Sequence, residues 1–335
     1  MEYDICSIGS ALVDLTFKID DEFVKQIEQK GIVKGGMTLI EKDDQNELVE
    51  ELIQSGKIPD KACGGSATNS VVAASLFGSS CFMSCIVGDD ENGKFYLEDL
   101  SQNGINHNSN LINSEMPSGQ CLVMVSDDAE RTMCTNLGIN SEFSAQNVDE
   151  EIIKNSNYLF LEGYLLASPE GFDSFKKAFN LAKKYNVKVA LSLSDIFIVN
   201  TFKEELKELI STSCDLIFCN EGEASEFANS NSEEEIFKFF KNYSPKLLVT
   251  QGPKGCIGYD EEGPINIPGI EANAIDTNGA GDMFAGAVIS SLNQSKNLKQ
   301  SAEFGCFAAS KIVQNSGPRL IQEEYVKIKE NFSSY

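Results

Sequence analysis

Two aspartates bracket a glycine-rich turn in Asp276-Thr277-Asn278-Gly279-Ala280-Gly281-Asp282. The run that follows, Met283-Phe284-Ala285-Gly286-Ala287-Val288-Ile289, is small and apolar and reads as a helix. N–H groups at a helix start lack intrahelical partners and carry the positive end of the dipole. Glycines let a ligand approach the backbone closely. The turn therefore reads as an anion cradle for a phosphoryl group in transfer. Gly281 is expected to serve both the cradle and the helix start. Asp282, beside such a cradle, is placed to take the proton from an attacking hydroxyl. The same residues also fit ordinary caps around a tight turn. No Gly-Lys-Ser/Thr follows, so this is not a Walker A loop.

Two further stretches belong with it. Gly64-Gly65-Ser66-Ala67-Thr68-Asn69 precedes a small-residue helical run, and Asn69 offers both a donor and an acceptor to a diol. Thr250-Gln251-Gly252-Pro253-Lys254-Gly255 follows an apolar strand, the kind of loop at which nucleotides bind in open α/β sheets.

The elements that must position these stretches alternate along the chain. Ile5 to Ile8, Ser84 to Val87, Tyr158 to Leu161, Val187 to Leu193, Leu216 to Cys219 and Leu247 to Thr250 read as strands. Helical patterns over Thr68 to Phe77, Gly93 to Asn103, Pro169 to Tyr185, Thr201 to Ser211 and Glu221 to Ala228 separate them. Near-continuous apolar strands between helices signal a mostly parallel, doubly wound α/β sheet covered on both faces. Two segments break the rhythm. Residues from about 12 to 59 carry Gly35-Gly36 and little helix before Asp43, and about 112 to 138 alternate as antiparallel strand. Paired, they would form a small sheet beside the main one, serving as a lid over the site or as an edge hairpin with no role.

Composition narrows the function. The chain has 335 residues, 41% hydrophobic, with a formal charge of −24. That excess of negative charge argues against nucleic acid or an anionic membrane as partner. A phosphate site must be locally built, and only two arginines, Arg131 and Arg319, are available for it. Ten cysteines lie mostly in apolar runs without C-x-x-C pairs, which suggests buried thiols in a reducing compartment. His107 is the only histidine, which argues against a zinc site or a His-based triad. No signal-like start or apolar run of membrane-spanning length is present in the sequence. A cytoplasmic protein of one large domain or two ordinary ones is expected.

These stretches, in this order, resemble the PfkB (ribokinase-like) carbohydrate kinase family over nearly the whole chain. Gly64 to Asn69 is similar to its first signature and Asp276 to Asp282 to its second. Ile8 to Asp14 resembles the opening strand, Asn220-Glu221-Gly222-Glu223 the N-x-x-E motif, and Ala308 to Pro318 the final helix and turn. Lys34 to Leu39, Glu130 to Met133, Leu161 to Leu165 and Leu193 to Asp195 resemble the adenosine kinase-like branch, although Ser10 stands where that branch usually has Asn. The resemblance implies a single domain over residues 1–335 with the two lid segments inserted, and an enzyme that moves the γ-phosphate of ATP to a hydroxymethyl group, on adenosine to give AMP. A sugar kinase acting on fructose, ribose or a keto-sugar acid is the alternative. A non-catalytic nucleoside- or nucleotide-binding protein on the same scaffold is the reading outside enzymes.

The resemblance also implies site roles. Asp14, Gly36, Gly64, Gly65, Ser66 and Asn69 would bind the acceptor, and Arg131 would close over the phosphates. Asp282 would be the base and Gly279, Ala280 and Gly281 the anion hole. Asn220, Glu223, Thr250, Gly252 and Gly255 would serve ATP, with Mg²⁺ held through waters near Asn220 and Glu223. A monovalent cation, K⁺, would sit near Asp276 and Asn278. Family members are monomers or homodimers.

Overall fold

A computed structural model describes residues 2–108, 111–128, 130–212 and 214–333. Nine strands form the main sheet, in the order Gly263–Pro268, Gly255–Asp260, Leu247–Thr250, Leu216–Asn220, Lys188–Ser192, Ser156–Glu162, Tyr3–Ile8, Cys81–Ser84, Ile105–His107. The seven strands from Leu247–Thr250 to Ile105–His107 run parallel. Gly255–Asp260 and Gly263–Pro268 add to the other edge in antiparallel pairing.

Side-chain alternation assigns each strand residue to a face, and both faces are buried. Leu159, Leu161, Leu191, Ile217 and Val249 pack with Phe175, Phe179 and Leu206 from helices Gly171–Tyr185 and Lys203–Ile210. Phe160, Ala190, Leu216, Phe218 and Leu248 point the other way, onto Val71 of helix Ser66–Leu76 and Phe284 and Val288 of helix Ala280–Asn293. All ten cysteines are buried, and none is paired in a disulfide. Among the described residues, no helix is long and apolar enough to cross a membrane.

Three local expectations require correction. The strand expected at Ser84 to Val87 is Cys81–Ser84, after which Val87–Gly88 leaves the main sheet and pairs with Leu111–Ile112. The helix expected from Thr201 to Ser211 begins earlier, as Ile196–Thr201 capped by Asp195, and is interrupted at Phe202 before Lys203–Ile210. The stretch before Asp43 contains a helix, Asp21–Gln29. The Asp20 carboxylate accepts from the Phe23 N–H at 3.0 Å, and only Phe23, Val24 and Ile27 are buried, so a narrow apolar stripe is flanked by charge.

That helix covers a second sheet of five strands, ordered Met37–Leu39, Arg131–Asn136, Gly119–Val125, Leu12–Lys18, Asp60–Cys63. Its strands come from the two segments that break the βα rhythm, although Asp60–Cys63 lies past residue 59 and Ile112 belongs to the short pair with Val87–Gly88. Ala129, in the second segment, lies outside the described residues. Leu122, Met124 and Cys134 face helices Asp21–Gln29 and Lys42–Gln54, packing with Phe23, Ile27 and Leu48. Cys121, Val123, Met133 and Thr135, one residue out of phase, face a cavity between the two sheets.

Asn140 pins the crossing between the sheets. Its Oδ1 accepts from the Ala11 N–H at 2.9 Å, and its Nδ2 donates to the carbonyls of Ala11 (2.8 Å) and Leu137 (2.9 Å). Ala11 precedes one strand of the small sheet and Leu137 follows another. Because the side chain is buried, Asn140→Ala leaves these backbone groups unpaired. The expected cost is about 1–3 kcal/mol of stability. A urea-unfolding midpoint equal to that of the unaltered chain would remove Asn140 from this role.

Candidate active site

The carboxyl ends of four parallel strands open into one cavity of about 260 Å³. Glu162, Ser192, Asn220 and Thr250, each the last residue of its strand, line it. Such a position is where open α/β sheets bind ligands. The small sheet forms the roof, with Leu12, Met37, Val123, Met133 and Leu137 as its apolar surface and Asp14 and Arg131 as its charged groups.

The turn at 276–282 is built from inside. Asp276 is buried, and its two carboxylate oxygens accept from the N–H groups of Asn278 and Gly317, each at 2.8 Å. This ties the glycine turn to the C-terminal turn. Gly279 has φ +74°, and a Cβ there would lie 2.3 Å from the Pro318 carbonyl oxygen, so the position requires glycine. Gly281 differs. A Cβ on it would meet nothing within 4 Å, because it faces the cavity. The helix start therefore does not require a glycine there, contrary to the expectation of a dual role. Ala280 does not line the cavity, and its N–H donates to the Thr277 carbonyl at 3.2 Å.

Asp282 sits in the first turn of its helix and accepts from Ser66 Oγ at 2.6 Å and Asn69 Nδ2 at 2.9 Å. Burial raises its pKa, opposed by these two hydrogen bonds and by Arg131 and Arg319. Asp14, on the roof, is also buried, and its pKa is pushed up to about 7. Burial is the main cause there, with Arg319 and then Arg131 opposing and Asp282 adding repulsion. A Cβ on Gly64 would fall 2.2 Å from Asp14 Oδ1, so glycine permits the carboxylate to approach this backbone.

Arg131 spans the cavity, donating from Nη1 to Asn278 Oδ1 at 2.5 Å. Arg319 donates from Nε to Asn69 Oδ1 at 2.8 Å and pairs through Nη1 with Asp99. Both arginines of the chain therefore serve this one region.

Glu162 was not among the site residues expected from sequence. Its Oε1 accepts from the Ser10 N–H (3.0 Å) and its Oε2 from the Ala67 N–H (2.5 Å), joining the end of the first strand to the start of the Ser66 helix. Burial pushes its pKa up to about 7. A carboxylate closing the apolar strand Tyr158-Leu159-Phe160-Leu161 was the available signal.

The other expected residues are distributed unevenly. Gly65, Ser66, Asn69, Asn220, Glu223 and Thr250 line the cavity; Gly36, Gly64, Gly252 and Gly255 do not. Gly255 is required by packing, since a Cβ would sit 2.1 Å from the Ile267 carbonyl oxygen. Asn220 and Glu223 form a reciprocal capping box, with the Glu223 N–H donating to Asn220 Oδ1 and the Asn220 N–H donating to Glu223 Oε2. Asn220 Nδ2 also donates to Glu223 Oε1 at 2.6 Å, and burial pushes the Glu223 pKa up to about 7. Asp276 and Asn278, the residues expected near a monovalent cation, both hold hydrogen-bonded side chains on this turn. Both Asp276 oxygens already accept N–H groups, and Asn278 Oδ1 accepts from Arg131.

Comparison with known proteins bears on the family and the fold. The pfkB family carbohydrate kinase profile covers residues 24–324. Adenosine kinase 2 of Arabidopsis thaliana is 25% identical over 338 residues, covering 93% of this chain and 94% of its own. The guanosine-inosine kinase of Escherichia coli K12 is 26% identical over 266 residues, covering 77% of this chain and 61% of its own. The crystal structure of adenosine kinase from Sinorhizobium meliloti superposes with a TM-score of 0.91 at 26% identity, over 99% of this chain and 100% of that one. A ribokinase-like fold, two glycine signatures meeting at one carboxylate, and a profile match across most of the length lead to one conclusion: this chain belongs to the pfkB family of carbohydrate kinases and is a phosphotransferase with an alcohol acceptor.

Proposed function

We propose that the chain phosphorylates the hydroxymethyl group of a purine nucleoside, converting adenosine to AMP with ATP as donor. The observation that carries this reading is the roof. A flat, largely apolar base fits against Leu12, Met37, Val123, Met133 and Leu137, whereas a free sugar would leave that surface unsatisfied. The names of the relatives support the same acceptor class.

The positions of the chain's own groups support the following roles. Asp14 and Asn69 hold the ribose hydroxyls, and Asp282 faces the hydroxymethyl group and takes its proton. The amides of Gly279 and Gly281 and the guanidinium of Arg131 meet the charge spread over the transferring phosphoryl oxygens. The roof excludes water, which protects ATP from hydrolysis, and we assign it the task of a lid.

ATP would lie on the side of Asn220 and Thr250. Among the described residues, no three His, Cys, Asp or Glu side chains converge as a metal cage. Mg²⁺ would therefore be held by the phosphates and by waters, with Glu223 reaching it at one remove. When bound, it neutralises phosphate charge.

Purified protein with ATP and Mg²⁺ should release ADP with adenosine and form AMP. Turnover only with fructose, ribose or a keto-sugar acid in the same coupled assay would replace the nucleoside by a sugar. Asp282→Asn should lower kcat by about 10²–10⁴-fold with KM little changed. Because Asp282 must be ionised to act and its pKa is raised, activity should fall on acidification at a pH above the ordinary aspartate range. A profile flat down to that range would exclude Asp282 as the titrating base. The two glycines should separate. Gly279→Ala should lower the melting temperature, whereas Gly281→Ala should leave it in place and lower kcat/KM, as measured by thermal melts and the same assay.

A further inference from the structure

Arg319 lies outside the signature motifs, yet it is bound to the centre of the site. Its side chain is 11% exposed. Nε donates to Asn69 Oδ1, and Nη1 pairs with Asp99 on helix Glu91–Gln102. Asn69 in turn donates from Nδ2 to Asp282 Oδ2. An amide has one accepting end and one donating end, and the flanking groups decide which way it points. A guanidinium on one side requires the oxygen there; a carboxylate on the other requires the nitrogen. Donation thus runs outward from Arg319, to Asp99 on one side and through Asn69 to Asp282 on the other.

We propose that Arg319 is a positioning residue for phosphoryl transfer: through Asn69 it holds Asp282, and it supplies the cation that the Asp14 and Asp282 carboxylates share. This rests on Asp282 being the base of the reaction. A planar fork suits the task, because one guanidinium can meet the Asn69 amide and the Asp99 carboxylate in fixed directions; a lysine ammonium cannot orient both. The groups facing it come from several elements. Asp99 and Tyr96 lie on one helix and Cys63 ends a roof strand. Asp14 comes from the roof and Asp282 from its own helix. Arg131 is the second cation, and Glu162 the further carboxylate that Asp282 repels. In a chain of net charge −24, two carboxylates at one cavity would hold protons tightly without a cation beside them. Arg319 opposes that for both.

The test separates charge from orientation. With adenosine, ATP and Mg²⁺, Arg319→Gln should lower kcat about 10- to 100-fold, the loss expected for one hydrogen bond to a charged group. Its acid limb should move to higher pH, since losing the cation raises both carboxylate pKa values. Arg319→Lys should return the acid limb towards that of the unaltered enzyme while leaving kcat depressed. Carbon-13 NMR titration of the Asp14 and Asp282 carboxyl groups in ligand-free protein should show both titrating higher in Arg319→Gln. If both titrate unchanged and kcat stays within about twofold, Arg319 is only a strut to Asp99 and the proposal falls. If Arg319→Gln does not fold, Arg319→Lys decides, and a wild-type kcat in it overturns the proposal. If the unaltered enzyme turns over no acceptor, the functional reading fails separately, and the NMR titration still decides the relay.

Discussion

The hold of Ser66 and Asn69 on Asp282 is the contact around which this structure is arranged. A carboxylate that removes a proton must be ionised, aimed and partly shielded from water, and these demands conflict, because shielding favours the neutral acid. Two hydrogen bonds from the start of one helix to the start of another oppose the effect of burial, which still raises the Asp282 pKa. They also fix how closely those helices pack. A Cβ on Gly286 would lie 2.2 Å from the Ser70 carbonyl oxygen, so small residues along Ser66–Leu76 and Ala280–Asn293 are what permits the contact.

Around that contact the chain separates two tasks. The main sheet supplies a rigid floor whose strand ends deliver Glu162, Asn220 and Thr250 to one line. The small sheet supplies a roof that is apolar towards the cavity and carries Asp14 and Arg131 across to the floor. Neither is useful without a defined angle between them. Asn140 and Glu162 set it, one by pinning Ala11 to Leu137, the other by joining Ser10 to Ala67. Both are buried polar groups spent on backbone N–H and C=O partners. Such bonds hold a loop in place more specifically than apolar packing does.

The electrostatic cost of this arrangement is concentrated. Asp14, Glu162 and Glu223 are all pushed up to about 7 by burial, and the Asp282 pKa is raised as well. Two guanidiniums in a chain otherwise rich in acid offset part of that at Asp14 and Asp282. Their number is small because their positions do the work. One comes from the roof and the other from the C-terminal turn.

Local sequence determined the α/β alternation, the glycine turns and the carboxylate beside them. Strand periodicity, helix starts and glycine clusters are properties of a few neighbouring residues, so Leu247–Thr250 and Glu221–Ala228 are found where their patterns place them. The helix Asp21–Gln29 escaped the same reading because its three buried residues lie among charges that reveal a buried face only once a sheet packs against it. Resemblance to a family supplied the list of site residues, but not which of its glycines face a ligand. Gly279 and Gly281 both open on the cavity, but only Gly279 is also required by a neighbouring carbonyl, as Gly255 is, a difference decided by backbone approach from Pro318 and Ile267. Tertiary structure alone decided the contacts of Glu162 and Arg319. Their partners lie 95 to 250 residues away, and a hydrogen bond across such a distance leaves no pattern in the neighbouring sequence.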